Sequence, residues 1–266
     1  MPTIFRKGLE YFRVVGYLLR GSATLSSICS YPIRKRMQGI SQIKLNSGIT
    51  LTAPSTEPLL PIFEEVWVQR RYDQSGLQAS ANDVIVDIGA HVGIFTVWAA
   101  TRWPAARIVS VEPSSLGAEY LRRNIAHNRL QNVTFVEACC TDHNGHVQLQ
   151  ARGEGARNTI YSRDNYHSVF TANENVPSLT LETIFREQKI DTCRLLKMDC
   201  EGAEYDILFS TPDSVLKKIQ RISMEYHVGL NEHHPQELVS WLQSRGFEAK
   251  LSPLIDEEGG YLQACR

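Results

Sequence analysis

"VIVDIGAHVGIF", residues 84–95, decides the fold. A short β-branched run carries Asp87 near its end, and Gly89 and Gly93 then stand four apart before the helical pattern of "GIFTVWAATR" (93–102). A run this short and this rich in valine and isoleucine suits a buried strand better than a helix. Glycines between strand and helix let a ligand approach the backbone closely. A dinucleotide site would prefer G-x-G-x-x-G, with the helix N-terminus open to a pyrophosphate. Here the spacing is D-x-G-x-x-x-G, and Asp87 would set a negative charge near that phosphate. The pattern therefore favours a ligand that is neutral or cationic at this point.

The runs on either side repeat the theme. "ARIVSVEP" (106–113), "NVTFVEACC" (132–140), "CRLLKMD" (193–199) and "RISMEYH" (221–227) read as short strands, with helices such as "SLGAEYLRRNIAHN" (115–128) between the first of them. Strands alternating with helices argue for an α/β fold with a mostly parallel sheet and helices on both faces. "HPQELVSWLQSRGF" (234–247) is a further helix, with Pro235 in its first turn and Gly246 as terminator. The polar stretch 143–177 breaks the alternation and reads as an insertion carrying substrate contacts, with Asn158 and Thr159 as candidates for a sugar hydroxyl. Ahead of residue 61, "SQIKLNSGITLTAP" (41–54) suggests a hairpin around Asn46, Ser47 and Gly48. The expected organisation is an N-terminal extension over 1–60 and a catalytic domain over 61–266.

Glu112 ends the second strand, twenty-five residues after Asp87, where a carboxylate can accept both hydroxyls of a ribose. Two acids and a glycine loop call for an adenosine-like ligand that has a positive group and no phosphate. S-adenosylmethionine fits that description. Its expected contacts are Asp87, Gly89, Ala90, His91, Gly93, Glu112 and Pro113, with Asp142, beside Cys140 and Thr141, towards the adenine, and Asp199 towards the methyl.

Composition bounds the alternatives. The chain has 266 residues, 42% hydrophobic and 21% charged, with a formal net charge of −1. That balance excludes nucleic-acid binding driven by an overall basic field. Residues 1–40 nevertheless carry seven Lys and Arg against Glu10 alone, so that the remainder is acidic. The segment 4–20 is amphipathic and reads as a helix that docks on the protein's own body, on a second subunit in a homodimer, or on an anionic membrane surface. Six cysteines without a CxxC pair read as reduced thiols, and no apolar stretch is long enough to span a bilayer. A cytoplasmic location is expected.

"VIVDIGAHVGIFTVWAA", "VEPSSLGAEYLRRNI", "VPSLTLETI" and "LLKMDCEGAEYDIL", in this order and led in by "EEVWVQRRYD", resemble the FkbM family of S-adenosylmethionine-dependent methyltransferases over roughly residues 60–230. The resemblance implies a Rossmann-like, class I methyltransferase with a seven-stranded sheet. It also implies O-methylation of sugar or polyketide hydroxyls.

The acids of "MDCEGAEYDIL" (198–208) then become catalytic candidates. Ligands of such sheets sit beyond the carboxyl ends of the strands. Asp199 closes one strand, and Glu225 and His227 share a face of its expected neighbour. Glu201 and Glu204 follow Asp199; acids in a first helical turn also complement the helix dipole, which accounts for one of them without any chemistry. His227 is the expected base, with Asp199 second, because imidazole titrates near neutral pH. Magnesium or manganese on Asp199, Glu225 and His227 is chemically reasonable but not expected. His233 and His234 read as neighbours of a helix cap. Two rival readings stay open: a non-catalytic scaffold on the same sheet, and a nicotinamide-dependent oxidoreductase, which the missing third glycine disfavours.

Overall fold

The structure, a computed structural model, describes Gly16 and residues 39–152, 157–160, 170–253 and 259–266. The expected N-terminal helix lies, Gly16 apart, outside the described residues. The expected hairpin is present: β1 (Ile40–Lys44) pairs antiparallel with β2 (Thr50–Pro54). A short helix, α1 (Leu59–Phe63), runs into a single π-helical turn, Glu64–Val68.

The alternating region follows as β3 (Val84–Ile88), α2 (Ile94–Arg102), β4 (Arg107–Val111), α3 (Ser115–His127) and β5 (Val133–Val136). "NVTFVEACC" does not stay in one strand. It breaks at Glu137–Ala138, and β6 (Cys139–Thr141) joins a second sheet with β7 (Gly145–Arg152), β8 (Arg157–Thr159) and β9 (Phe170–Thr180), in the order β6-β9-β7-β8. The described part of the polar insertion is thus largely a sheet. The chain continues through α4 (Leu181–Glu187), β10 (Cys193–Met198), α5 (Glu204–Ser210), α6 (Asp213–Leu216), β11 (Arg221–His227), α7 (Pro235–Ser244), β12 (Glu248–Leu251) and β13 (Gly259–Cys265).

The main sheet has seven strands in the order β12-β13-β11-β10-β3-β4-β5. From β11 to β5 every pairing is parallel, and β13 alone runs against its neighbours. Strand alternation divides the core between the two faces. Val86, Ile88, Val109, Val111, Leu196 and Met224 pack with α4, α5 and α7, whereas Ile85, Ile108 and Leu195 face α2, α1 and the hairpin. Helix ends are set locally. Ser114 Oγ caps α3 by accepting from Gly117 N at 3.0 Å, and Gly246, at φ +82°, follows α7.

Asn124 of α3 and Asn128, at the helix's C-terminal cap, hold the hairpin in place. Asn124 is fully buried; its Oδ1 accepts from Thr52 N at 2.9 Å, and its Nδ2 donates to Thr52 O and to Val92 O. Asn128 bonds both backbone groups of Thr50 in the same way. An amide matches the donor and acceptor of a strand residue together, so each satisfies an edge that would otherwise be a buried loss.

Candidate active site

A cavity of about 310 Å³ opens at the carboxyl ends of β3, β4 and β10. At one end it is lined by Gly89, Ala90, His91, Glu112 and Pro113. Gly89 and Gly93 both have positive φ, +72° and +84°. Their need for glycine comes from the protein itself: a Cβ on Gly89 would stand 1.8 Å from the Asp199 carbonyl oxygen, and one on Gly93 would stand 2.4 Å from Leu121 Cδ1. The loop is tight because β10 and α3 press on it. Glu112 Oε2 accepts from His91 N at 2.8 Å and Oε1 from Ser114 N at 3.0 Å, which fixes the carboxylate while each oxygen keeps a further lone pair. Burial pushes its pKa up. His91 Nε2 lies 3.3 Å from the buried Glu57; burial alone would lower its pKa, but Glu57 and then Glu112 outweigh it and the net shift is upward.

Asp87 departs from expectation. Its side chain is fully buried and does not reach the cavity; Oδ2 accepts from Thr96 Oγ1 at 2.7 Å, and Oδ1 forms an ion pair with Lys197 Nζ at 3.1 Å. The charge that was expected to face a ligand is met inside the protein. A register row explains it. Ser223, Lys197, Asp87 and Ser110 stand side by side on four adjacent strands, and Thr96 closes the row by bonding Ser110 at 2.8 Å. Lys197 also donates to Gly89 O at 2.9 Å, tying the row to the glycine loop. Burial alone would lower the lysine's pKa, yet Asp87 and Asp199 hold it well above the ordinary value.

The other end of the cavity is acidic. Asp199 and Glu225 line it together with Glu201 and Glu65. Tyr72 Oη donates to Asp199 Oδ2 at 3.2 Å, and Tyr261 Oη donates to Glu65 Oε1 at 2.8 Å. Burial, and then the charges of Asp199 and Glu65, push Glu225 up to about 9. Burial and Asp199 also raise Glu65. Neighbouring carboxylates resist ionising together unless a cation or a donor lies between them.

Behind these acids sits His227, 4% exposed and not part of the cavity wall. Its Nδ1 is 3.0 Å from Glu204 Oε1, and its Nε2 is 3.5 Å from Glu201 Oε2 and 4.0 Å from Glu225 Oε1. Burial works to lower its pKa, but Glu204 first and Glu201 next hold it up at about 10. An imidazole outside the cavity wall has no direct reach to an acceptor there, which does not suit the expected role of base. Glu204 is fully buried and accepts from Cys200 N at 2.8 Å and Gly202 N at 3.0 Å. Those bonds fasten the turn before α5 and do not cap the helix, which has no side-chain cap. Glu201 sits in the turn before α5 rather than on it, with φ +51°. Thr159 Oγ1 donates to its carbonyl at 2.8 Å, and Asn231 Nδ2 donates to Gly202 O at 3.0 Å.

Other expectations scatter. Asp142 is exposed, pairs with His143 Nδ1 at 2.7 Å and stays outside the cavity wall, which is formed there by Cys139 and Cys140. Thr141 Oγ1 turns to His143 O. The side chain of Asn158 lies outside the described residues. His234 caps α7 through Nδ1, and His233 stacks on Tyr205. The described cysteines are free thiols, and no helix among the described residues is long and apolar enough to cross a membrane.

The domain family described as Methyltransferase FkbM domain matches residues 87–249, more than half of the chain. The chain belongs to the FkbM methyltransferase family. The family relative 31-O-demethyl-FK506 methyltransferase FkbM of Streptomyces tacrolimicus is 23% identical over 243 residues, which cover 81% of this chain and 93% of that one. AMB antimetabolite synthetase AmbE of Pseudomonas aeruginosa is 24% identical over 79% of this chain, which spans only 12% of that protein. A solved Methyltransferase FkbM from Methylobacillus flagellatus KT superposes with a TM-score of 0.50 at 14% identity, covering 98% of this chain and 59% of that one. The seven-stranded, mostly parallel sheet is the Rossmann-like fold of class I methyltransferases.

For an FkbM-family chain, the residues that sequence reasoning passed over are Lys197, Tyr72, Glu65 and Tyr261. Lys197 did leave a signal: a lysine inside "CRLLKM" and two positions before Asp199 must share the aspartate's face. Buried lysines call for a partner. Glu65 and Tyr72 both lie in the lead-in "EEVWVQRRYD", and Tyr261 stands 196 residues beyond Glu65, so no local pattern brings the three together.

Proposed function

We propose that this chain is an S-adenosylmethionine-dependent O-methyltransferase acting on a hydroxyl of a sugar, glycoside or polyketide-like small molecule. The observation that carries the reading is a single cavity joining a glycine loop and Glu112 at one end to Asp199, Glu201 and Glu225 at the other. In this reading the ribose hydroxyls meet the remaining lone pairs of Glu112, and the methionine end meets Gly89, Ala90 and His91. The sulfonium then points its methyl at the acids, whose charge suits a cation. The acceptor oxygen attacks the methyl carbon in line, the carbon–sulfur bond breaks, and sulfur leaves with the electron pair as a neutral thioether. The hydroxyl proton passes to Asp199, whose side chain is 30% exposed to the cavity. Tyr72 and Lys197 hold that carboxylate in place. Alignment and proton removal are most of what such a displacement needs. The relative from Streptomyces tacrolimicus methylates an oxygen, as its name states, which supports the choice of O-methylation.

The test is a screen of glycosides and small alcohols for S-adenosylhomocysteine release, with calorimetry of S-adenosylmethionine alongside. Turnover of at least one hydroxyl acceptor is expected. Binding without turnover across the panel would favour the scaffold reading, and absence of binding would end the assignment.

A further inference from the structure

We propose that Asp199, Glu201 and His227 form a divalent-cation site at the acceptor end of the cavity, one that takes magnesium or manganese and holds neighbouring oxygens of the acceptor. One ligand atom from each of the three lies within 4.8 Å of the others. The set differs from the one the sequence made chemically reasonable in using Glu201, whose Oε2 is 3.5 Å from His227 Nε2, rather than Glu225, whose Oε1 is 4.0 Å away.

The second observation is the way His227 is held. Glu204 is fully buried and already accepts from two backbone N–H groups, so it meets Nδ1 only as an acceptor. Nδ1 therefore carries a proton in either charge state of the ring, and Nε2, aimed at the acids, gives up its own proton when a cation binds there. A histidine whose far nitrogen donates to a carboxylate is the usual support of a metal ligand. Nε2 makes no hydrogen bond among the described residues, although the side chain is 4% exposed. Its 3.5 Å separation from Glu201 is wider than the roughly 2.7–2.9 Å of a charge-assisted hydrogen bond. The gap suits an ion more than a shared proton. Around magnesium, at about 2.1 Å from each ligand, adjacent ligand atoms stand roughly 3 Å apart. Closing from 4.8 Å to that spacing falls to rotation of Glu201 and to the Asp199 oxygen that Tyr72 does not hold, while His227 stays fixed.

The chemistry follows from the donor set. Two carboxylates and one imidazole suit hard, octahedral ions and leave three positions open. Adjacent hydroxyls of a sugar-like acceptor fill two of them, and a bound hydroxyl gives up its proton more readily. A carboxylate bound through one oxygen keeps the other to accept that proton, so Asp199 retains the role described above. This inference rests on the methyltransferase reading for its use, though not for its detection.

Manganese is the probe, added to purified protein stripped with a chelator, without acceptor. One manganese per chain is expected, with a nitrogen coupling from the imidazole in its pulsed paramagnetic resonance spectrum. Glu201→Gln should weaken binding at least tenfold in a protein that still melts like wild type. His227→Gln should abolish the nitrogen coupling. No binding at millimolar manganese, binding unchanged in both variants, or binding without nitrogen coupling would overturn the site. S-adenosylmethionine calorimetry on the stripped protein separates the two ideas: cofactor binding with no manganese site ends only this inference, and a manganese site with no cofactor binding ends only the functional reading.

Discussion

The two ends of the cavity handle negative charge in opposite ways. At the glycine-loop end, Glu112 is bonded by two backbone N–H groups, and Asp87 is matched by Lys197 and Thr96. At the other end, Asp199, Glu201, Glu225 and Glu65 crowd together, and burial lifts Glu225 to about 9. One end is finished by the fold, while the other is left for a ligand to complete. Recognition of a constant cofactor suits a preset surface; activation of an acceptor needs groups whose charge is settled only when the acceptor arrives.

Four substitutions or conditions put this contrast under strain. Asp199→Asn acts on the unfinished end and should slow methyl transfer by roughly 10²- to 10⁴-fold at saturating cofactor, the scale of a positioned base. Single-turnover rates near wild type would return the acids to a structural role. Lys197→Met acts on the finished end. It strands Asp87 without its cation, and breaking a buried pair costs about 3–5 kcal/mol, to be read from denaturant unfolding. A loss well below 1 kcal/mol would mean that Asp87 is satisfied without the lysine. Glu112→Ala should weaken S-adenosylmethionine by about 1.5–3 kcal/mol in calorimetry and leave the fold intact. Unchanged affinity would remove the ribose assignment.

The smallest effect is on pH. His91 has a folded pKa above the 6.5 of the free side chain, because Glu57 outweighs the burial that opposes it. Its contribution to stability is therefore complete below pH 6.5 and fades as pH rises through the raised value. A melting series across that window should fall in wild type and flatten in Glu57→Gln. Equal slopes in the two proteins would sever the link.

How much of this could be read in advance depended on how local the cause was. Strands β3, β4, β10 and β11 were legible because a parallel strand buried on both faces must be a short apolar run. Glu225 and His227 were correctly placed on one side of β11 by alternation alone. The break between β5 and β6 was hidden, since the lone Glu137 in "NVTFVEACC" reads as an alternating position of one strand and only the second sheet reveals why the chain turns. That sheet had a clue in "HVQLQ" (146–150), whose alternation marks a strand within a stretch read as insertion. The setting of His227 was not legible, because its hydrogen-bond partner Glu204 reaches it from another element. Asp87 was misread for the same reason: its partner lies one strand away.

Asn124 gives the N-terminal hairpin a different standing from that of an appendage. A single side chain ties β2, the loop after β3 and α3 together, and the family match begins only at Asp87. The matched span, 87–249, omits the hairpin, most of β3, half of β12 and the whole of β13. What marks kinship in this chain is thus smaller than what must fold together. A fragment cut to the span would keep most of the chemistry-bearing residues and lose two edges of the body that shapes them.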